Sequence, residues 1–255
     1  MKLIIFSDVH ANIWALDRML QEEKEYDRIC FAGDLVDYGT EPSETIDKVR
    51  QLKNSYIVYG NHDQHLLRVH ETENIAALQP ECYKWVHYDI EKMKPSDFSY
   101  LQALKEHQSF ECDGWHYLVQ HQYTDGYAVI ESREAFNNYW ETSSAPQARH
   151  CISKRRMIFG HTHRQCIHVL DDGMEWLNPG SLSYRRPDDH DKTAQYMVVT
   201  DGKIEMKQIL YNRKMQYEEA ERMYVSHGMK LTEIQDFCFF FGNASTSRDP
   251  VPFKK

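Results

Sequence analysis

The chain has 255 residues, 41% of them hydrophobic, with 30 lysines and arginines against 39 aspartates and glutamates, for a formal net charge of −9. That length supports one domain with a sizeable core, and the acidic balance argues against general nucleic-acid or membrane-surface adhesion while leaving room for a local basic patch at an anionic site. No apolar run approaches the roughly 20 residues that a spanning helix needs, and Leu3-Ile4-Ile5-Phe6 is too short for a secretory core, so a soluble, cytoplasmic protein with no membrane partner is expected.

Residues 2–6 form a continuous β-favouring run, as in a strand covered on both faces, and the polar loop Ser7-Asp8-Val9-His10-Ala11-Asn12 follows at once. Asn12 can cap a helix whose stripe is Leu16, Met19 and Leu20, running to about residue 24. A second strand over 28–32 is broken by Gly33-Asp34-Leu35-Val36-Asp37. Pro42 and Ser43 then open a helix with Ile46, Val49 and Leu52 on one face, and a third strand over 55–59 ends at Gly60-Asn61-His62-Asp63. The order β-α-β-α-β implies a sheet that is at least partly parallel. In such sheets ligands bind beyond the carboxyl ends of the strands, where all three polar motifs fall.

From residue 64 to about 108 the pattern is helical and polar, broken by Pro80 and Pro95 and interleaved with Tyr83, Trp85, Tyr88, Phe98 and Tyr100. Two readings stand side by side: a helical insertion that packs its aromatics inward, and a cap whose rings stack on a nucleoside or aryl leaving group. Asp113-Gly114 marks a hairpin between 109–112 and 115–120, and its second strand delivers His121. The aromatic-rich segment 122–150 is long enough for a second lid. A strand over 156–159 leads into Gly160-His161-Thr162-His163, where a loop freed by glycine lets both imidazoles turn toward one cluster. Further hairpins turn at Asp172-Gly173 and Asp201-Gly202, so the second half is predicted to supply a second, mixed sheet. Between those hairpins Asn178-Pro179-Gly180-Ser181 makes a tight turn that shapes the site floor. Helices over 215–226 and 232–240 follow, and 243–255 reads as a loose tail on a single domain spanning 1–255. Six cysteines without CxxC spacing read as buried free thiols of a reducing compartment.

Carboxylate, imidazole and amide groups at these strand ends suit manganese, iron or zinc, and the lack of cysteine among them disfavours a structural zinc site. Two ions fit the ligand count: Asp8, His10, Asp34 and His163 for one, and Asp34, Asn61, His121 and His161 for the other, with Asp34 bridging. Two cations roughly 3.5 to 4 Å apart sharing a water would yield hydroxide at neutral pH and clamp the oxygens of a phosphate under in-line attack. His62, a non-ligand beside Asn61, is placed to protonate the leaving oxygen as general acid, with Asp37 or Asp63 to orient it. His65 and His70 read as the exposed face of a helix, because the ligand set is complete without them. Arg185 and Arg186 follow the tight turn and are either a solvated pair or a phosphate contact, Arg186 being the candidate.

In order and spacing, Asp8-x-His10, Gly33-Asp34-x-x-Asp37, Gly60-Asn61-His62-Asp63, His121 and Gly160-His161-x-His163 resemble the calcineurin-like metallophosphoesterase superfamily, over about residues 1–210. The short chain, Ser7-Asp8-Val9-His10-Ala11-Asn12 and Asn178-Pro179-Gly180-Ser181 look most like its small prokaryotic YfcE-type phosphodiesterase branch. The resemblance implies a four-layer α/β/β/α sandwich with two mixed β-sheets, Asp37 as the partner of His62, and manganese as the activating metal, with iron, zinc or nickel able to occupy the same donors. It implies a phosphodiesterase acting on a small phosphoester or nucleotide. The alternatives are an asymmetric dinucleoside polyphosphate hydrolase, a phosphomonoesterase or, from another class, a non-catalytic metal-binding scaffold that would be expected to have lost ligands. Two departures count. Protein phosphatases and symmetrical dinucleoside tetraphosphatases of the superfamily carry Asp-Arg-Gly where this chain has Asp37-Tyr38-Gly39, and the third metal histidine is usually followed by glycine, whereas His121 precedes Gln122. A monomer and a homodimer are both compatible with the sequence.

Overall fold

In β1 (Lys2–Phe6), Leu3 and Ile5 face one side, Ile4 and Phe6 the other, and all four are fully buried, which is why the run lacks polar alternation. The computed structural model describes residues 1–124, 126–143, 154–183 and 192–241; Cys151, Arg185, Arg186 and the 243–255 tail lie outside them. β1 pairs in parallel with β2 (Arg28–Ala32), and β2 with β3 (Ser55–Val58). The crossovers are α1 (Ile13–Glu22), capped by the Asn12 side chain accepting from the Ala15 N–H at 3.1 Å, and α2 (Pro42–Arg50), opened by proline.

The second sheet has the order β4-β5-β6-β8-β7, built from β4 (His107–Cys112), β5 (Trp115–Gln120), β6 (Arg155–Ile158), β7 (Cys166–Asp171) and β8 (Met174–Asn178). The β4–β5 turn holds Asp113 and Gly114 at φ of 52° and 71°, the left-handed pair that a two-residue hairpin demands. β5, β6 and β8 run parallel, so β5 and β6 release their chain ends at the same edge of the sandwich as β1, β2 and β3.

One expectation needs correction. The hairpin of β9 (Ala194–Thr200) and β10 (Lys203–Ile209) does not join the second sheet; it pairs antiparallel with β1 and gives the first sheet the order β10-β9-β1-β2-β3. Residues 194–199 are buried at every position, so β9 needs cover on both faces, and beside β1 it has the second sheet on one side and helices on the other.

Leu3, Ile5, Ala32, Val58 and Met197 of the first sheet pack on Phe110, Tyr117, Val119, Ile158 and Leu177 of the second. The outer face of the first sheet is covered by α1, α2, α3 (Asn61–Thr72), α4 (Trp85–Lys92) and α5 (Pro95–Ala103). The outer face of the second is covered by α6 (Arg133–Ser143), whose Phe136 and Trp140 are fully buried against Leu118, Met157 and Trp176. Truncating either ring to alanine would cost about 3–5 kcal/mol. The layers are therefore α/β/β/α. Val86, Ile90, Phe98 and Leu101 of the 64–108 segment enter the core under the first sheet. Tyr83, Trp85 and Tyr88 instead meet α7 (Lys214–Arg222) and α8 (Leu231–Phe240), with Trp85 4.7 Å from the Phe237 ring and the Tyr88 hydroxyl donating to Glu219 at 2.6 Å. Among the described residues no helix is long and apolar enough to cross a membrane, and Cys30, Cys82, Cys112, Cys166 and Cys238 are free thiols.

Candidate metal centre and cleft

Five strand ends deliver the site: Asp8 and His10 follow β1, Asp34 follows β2, Asn61 follows β3, His121 follows β5, and His161 and His163 follow β6. The chain turns abruptly at each. Asp8, His10, Ala11, Asp34, Asp37, Tyr38, His161 and His163 all have φ between 48° and 74°, in the left-handed region that side chains other than Asn and Asp rarely enter. Such a backbone costs on the order of 1–2 kcal/mol per residue and persists where surrounding contacts over-determine it. Two glycines permit the close approach. A Cβ at Gly60 would overlap the Asp34 carboxylate and backbone, and one at Gly160 would overlap Ser7 Oγ and lie 2.8 Å from Asp8 Oδ2.

Buried polar groups tie the loops together. Asp63, wholly buried, accepts the N–H groups of Leu35 and Val36 on Oδ1 at 2.9 and 3.1 Å, and those of Gly60 and Asp34 on Oδ2 at 2.8 and 3.2 Å. Asn178 donates to the Gly160 carbonyl at 2.6 Å and Ser181 to the Asp8 carbonyl at 3.0 Å, so the tight turn fastens the His-x-His loop to the first motif.

Asp8, His10, Asp34 and His163 each offer a donor atom, all within 4.8 Å of one another, with His163 Nε2 at 3.0 Å from Asp8 Oδ1. The second set meets beside it: His121 Nε2 lies 3.1 Å from Asp34 Oδ2 and 3.0 Å from Asn61 Oδ1, and His161 Nδ1 is 2.9 Å from that same amide oxygen. Asp34 thus faces both groups. His121 donates its Nδ1–H to the Ala32 carbonyl at 2.7 Å, which aims Nε2 inward as a ligating imidazole requires. Asp8 Oδ2 and His161 Nε2 are buried without a hydrogen bond. Converging carboxylates, imidazoles and an amide with such orphaned atoms fit divalent cations of the N/O-preferring kind.

Electrostatics agree with that fit. Burial would raise the carboxyls of Asp8 and Asp34, but the facing imidazoles hold both below the usual range. Burial lowers His10 and His161 to about 4, keeping them neutral, the state in which imidazole binds a metal. Burial also works against His121, yet Asp34 and Asp8 push it up to about 9, so loading a cation there must expel a proton. Asp63 is raised to about 7 by burial and then by Asp34.

His62 stands apart from the ligand sets. Its Nδ1 is 2.9 Å from Asp37 Oδ2, its ring lies edge-on to His10 at 5.1 Å, and although burial opposes it, Asp34 and Asp37 raise it to about 9. Between the two partners the sequence left open, Asp37 is the one that touches His62; Asp63 binds only backbone. Asp37 is depressed despite burial because His62 and also His65, at 3.4 Å, face it. His65 therefore looks toward Asp37 rather than only to solvent. Its i, i+3 spacing from His62 on α3 was the available signal. Asp89, buried in α4 and accepting the Asp37 N–H at 2.8 Å, carried none. His70 stacks on Phe98 and stays outside the site, and Arg186 lies outside the described residues. Tyr38 occupies the place of the missing arginine, its ring 5.0 Å from His62 and 5.8 Å from His10.

A cleft of about 670 Å³ opens from Asn61, His62 and His121 outward, walled by Tyr38, Tyr59, His65, Arg68, Glu106 and Tyr123. From the 122–150 segment, exposed Tyr127 stacks its ring on His161 at 5.1 Å.

Comparison with known proteins bears on this geometry. An uncharacterised protein of Methanocaldococcus jannaschii is 26% identical over 238 residues, 85% of this chain and 90% of its own. A symmetrical bis(5'-nucleosyl)-tetraphosphatase of Psychromonas ingrahamii is 32% identical over 119 residues, covering 40% of this chain and only 43% of that enzyme. A metallophosphoesterase from Sphaerobacter thermophilus shares the fold at a TM-score of 0.69 with 21% identity, over 93% of this chain and 98% of that one. Residues 1–202 match the calcineurin-like phosphoesterase superfamily domain, and the chain belongs to that superfamily of hydrolases acting on phosphoester bonds.

Proposed function

We propose that the protein is a phosphodiesterase working with two divalent cations, manganese being the favoured metal, as a single catalytic domain in the cytoplasm. Asp8, His10, Asp34 and His163 would hold one ion, and Asp34, Asn61, His121 and His161 the other. When bound, such a pair supplies Lewis acidity toward the phosphoryl oxygens and lowers the pKa of a coordinated water. The chain's own residues do the rest. His62, protonated at neutral pH with Nδ1 anchored on Asp37, presents its other ring nitrogen to give a proton to the leaving alkoxide or phenoxide oxygen. Asp37 holds the charge of that imidazolium.

The observation that carries the reading is the His62–Asp37 pair beside two donor sets that share Asp34. The diester preference is supported by Tyr38. A monoester dianion calls for added positive charge at the reacting phosphate, and a phenol stands where the superfamily's arginine would be. The test is hydrolysis of bis-p-nitrophenyl phosphate against p-nitrophenyl phosphate by chelator-treated protein with and without Mn²⁺. Manganese-dependent turnover favouring the diester is expected, and a clear preference for the monoester would sink the reading.

A further inference from the structure

Among the described residues lining the adjoining cleft, phosphodiester chemistry at the proposed metal centre leaves Arg68 without a task. Arg68 follows Asn61 by seven residues on α3, two helical turns, so Asn61, His65 and Arg68 share one helix face, and Arg68 stands about 10 Å farther along the axis. Leu66, Leu67 and Val69 bury the opposite face and fix the helix in rotation. Arg68 is exposed into the cleft and, among the described residues, makes no ion pair. Its anchor two turns along α3 from Asn61 puts a second anion on the same molecule within its grip. Other residues lining the cleft suit a nucleoside. Tyr59 and Tyr123 offer aromatic faces, and Glu106, joined to Gln120 Nε2 at 3.5 Å, would repel phosphate but accept from sugar hydroxyls.

Building on the phosphodiesterase reading, we propose that this cleft is a nucleotide subsite in which Arg68 binds a phosphate beyond the one hydrolysed. The natural substrate is then a nucleotide carrying at least one further phosphate, not a simple uncharged-ended diester. That phosphate could belong to a polyphosphate bridge or to a neighbouring nucleotide, and the guanidinium recognises either.

The experiment follows manganese-dependent hydrolysis of bis-p-nitrophenyl phosphate by the full chain and measures competition by diadenosine tetraphosphate and by the 5'-phosphorylated dinucleotide pApA. One charge-assisted contact corresponds to about 10- to 100-fold in Ki. Arg68→Ala and Arg68→Gln are expected to raise Ki by that factor and Arg68→Lys by less, while Arg18→Ala, which removes a remote charge paired with Glu22, keeps the wild-type Ki. The compound showing the larger shift identifies the source of the phosphate. If neither compound competes below millimolar concentration, or if both compete equally against wild type and Arg68→Ala, the inference is overturned while the phosphodiesterase reading stands. Absence of any manganese-dependent diester turnover would remove that reading and the inference with it.

Discussion

Asp63 offers the sharpest check on how the site is held. Its carboxylate accepts four backbone N–H groups from two loops, those that present Asp34 and Asn61. In Asp63→Asn the amide oxygen can keep one pair of donors, while the NH₂ turns toward the other pair. Two buried N–H groups left unsatisfied at about 1–3 kcal/mol each give a loss of about 2–6 kcal/mol. In a chain of this size each kcal/mol moves Tm by about 2–4 °C, so the midpoint should fall by roughly 10 °C. Asp63→Ala strips all four partners, a loss of about 4–12 kcal/mol that overlaps the whole stability of a typical domain. It should not accumulate as folded protein. Calorimetric unfolding of Asp63→Asn, paired with Mn²⁺ titration, reads both the destabilisation and the slackened ligand loops. The opposite pattern, an unchanged Tm and unchanged Mn²⁺ affinity with a lowered kcat, would mean that Asp63 serves His62 and that the clamp reasoning is mistaken.

Three further outcomes are expected. His62→Ala should lower kcat on an alkyl-leaving-group diester by about 10²–10⁴-fold while retaining two bound metals by elemental analysis; a fully active variant would remove the general acid. For metal-free protein, His62 and His121 sit at about 9 against about 6.5 unfolded, so their stabilisation is full below pH 6.5 and is lost as pH rises toward 9. Asp63, raised to about 7, adds a penalty that develops between about pH 4 and 7. Tm of chelated protein should therefore fall from pH 6.5 to 9, and a rise over that interval would contradict the assigned charge states. Gly160→Ala forces a Cβ into Ser7 Oγ and against Asp8 Oδ2, so Mn²⁺ affinity should drop by roughly 10–100-fold, the usual cost of disturbing support around a ligand; calorimetric titration giving the wild-type affinity would count against the packing argument.

Much of this architecture is written in local patterns. β1 and β2 are apolar at consecutive positions because both faces are covered, and Asp-Gly pairs at 113–114 and 201–202 mark their hairpins by backbone demand. The candidate metal-binding residues stood out in the sequence because they lie on the loops that leave the strands, and Asp8, His10, Asp34 and His163 do converge. What the sequence hid was mostly non-local. Nothing in residues 194–209 says that the hairpin will seat beside β1, 190 residues earlier, since either sheet could bury it. Asn61, His62 and Asp63 read as loop, yet they form the first turn of α3, because Asp63 satisfies the free N–H of Gly60 and lets the helix begin there. The left-handed backbone at His10, His161 and His163 was equally invisible. Histidine has no strong preference for that region, and only the packed loops impose it. His65 was discounted because the ligand set was complete without it, while Asp37 approaches it from another element.

The division of the proposed ligands between the sheets has a further consequence. Asp8, His10, Asp34 and Asn61 ride on the first sheet, and His121, His161 and His163 on the second; away from this edge the two are joined by the apolar seam and by bonds such as Gln108 to the Ile57 carbonyl and Arg156 to the Gly202 carbonyl. A cation bound there is a rivet through both plates, and its grip depends on how far apart they stand. Repacking the seam at Val119 or Leu177, which hold no proposed ligand themselves, should therefore register as altered metal affinity, and metal binding should in turn stiffen the seam, by the same free energy read in opposite directions. Metal supply would then set the rigidity of the whole sandwich as well as the occupancy of its edge.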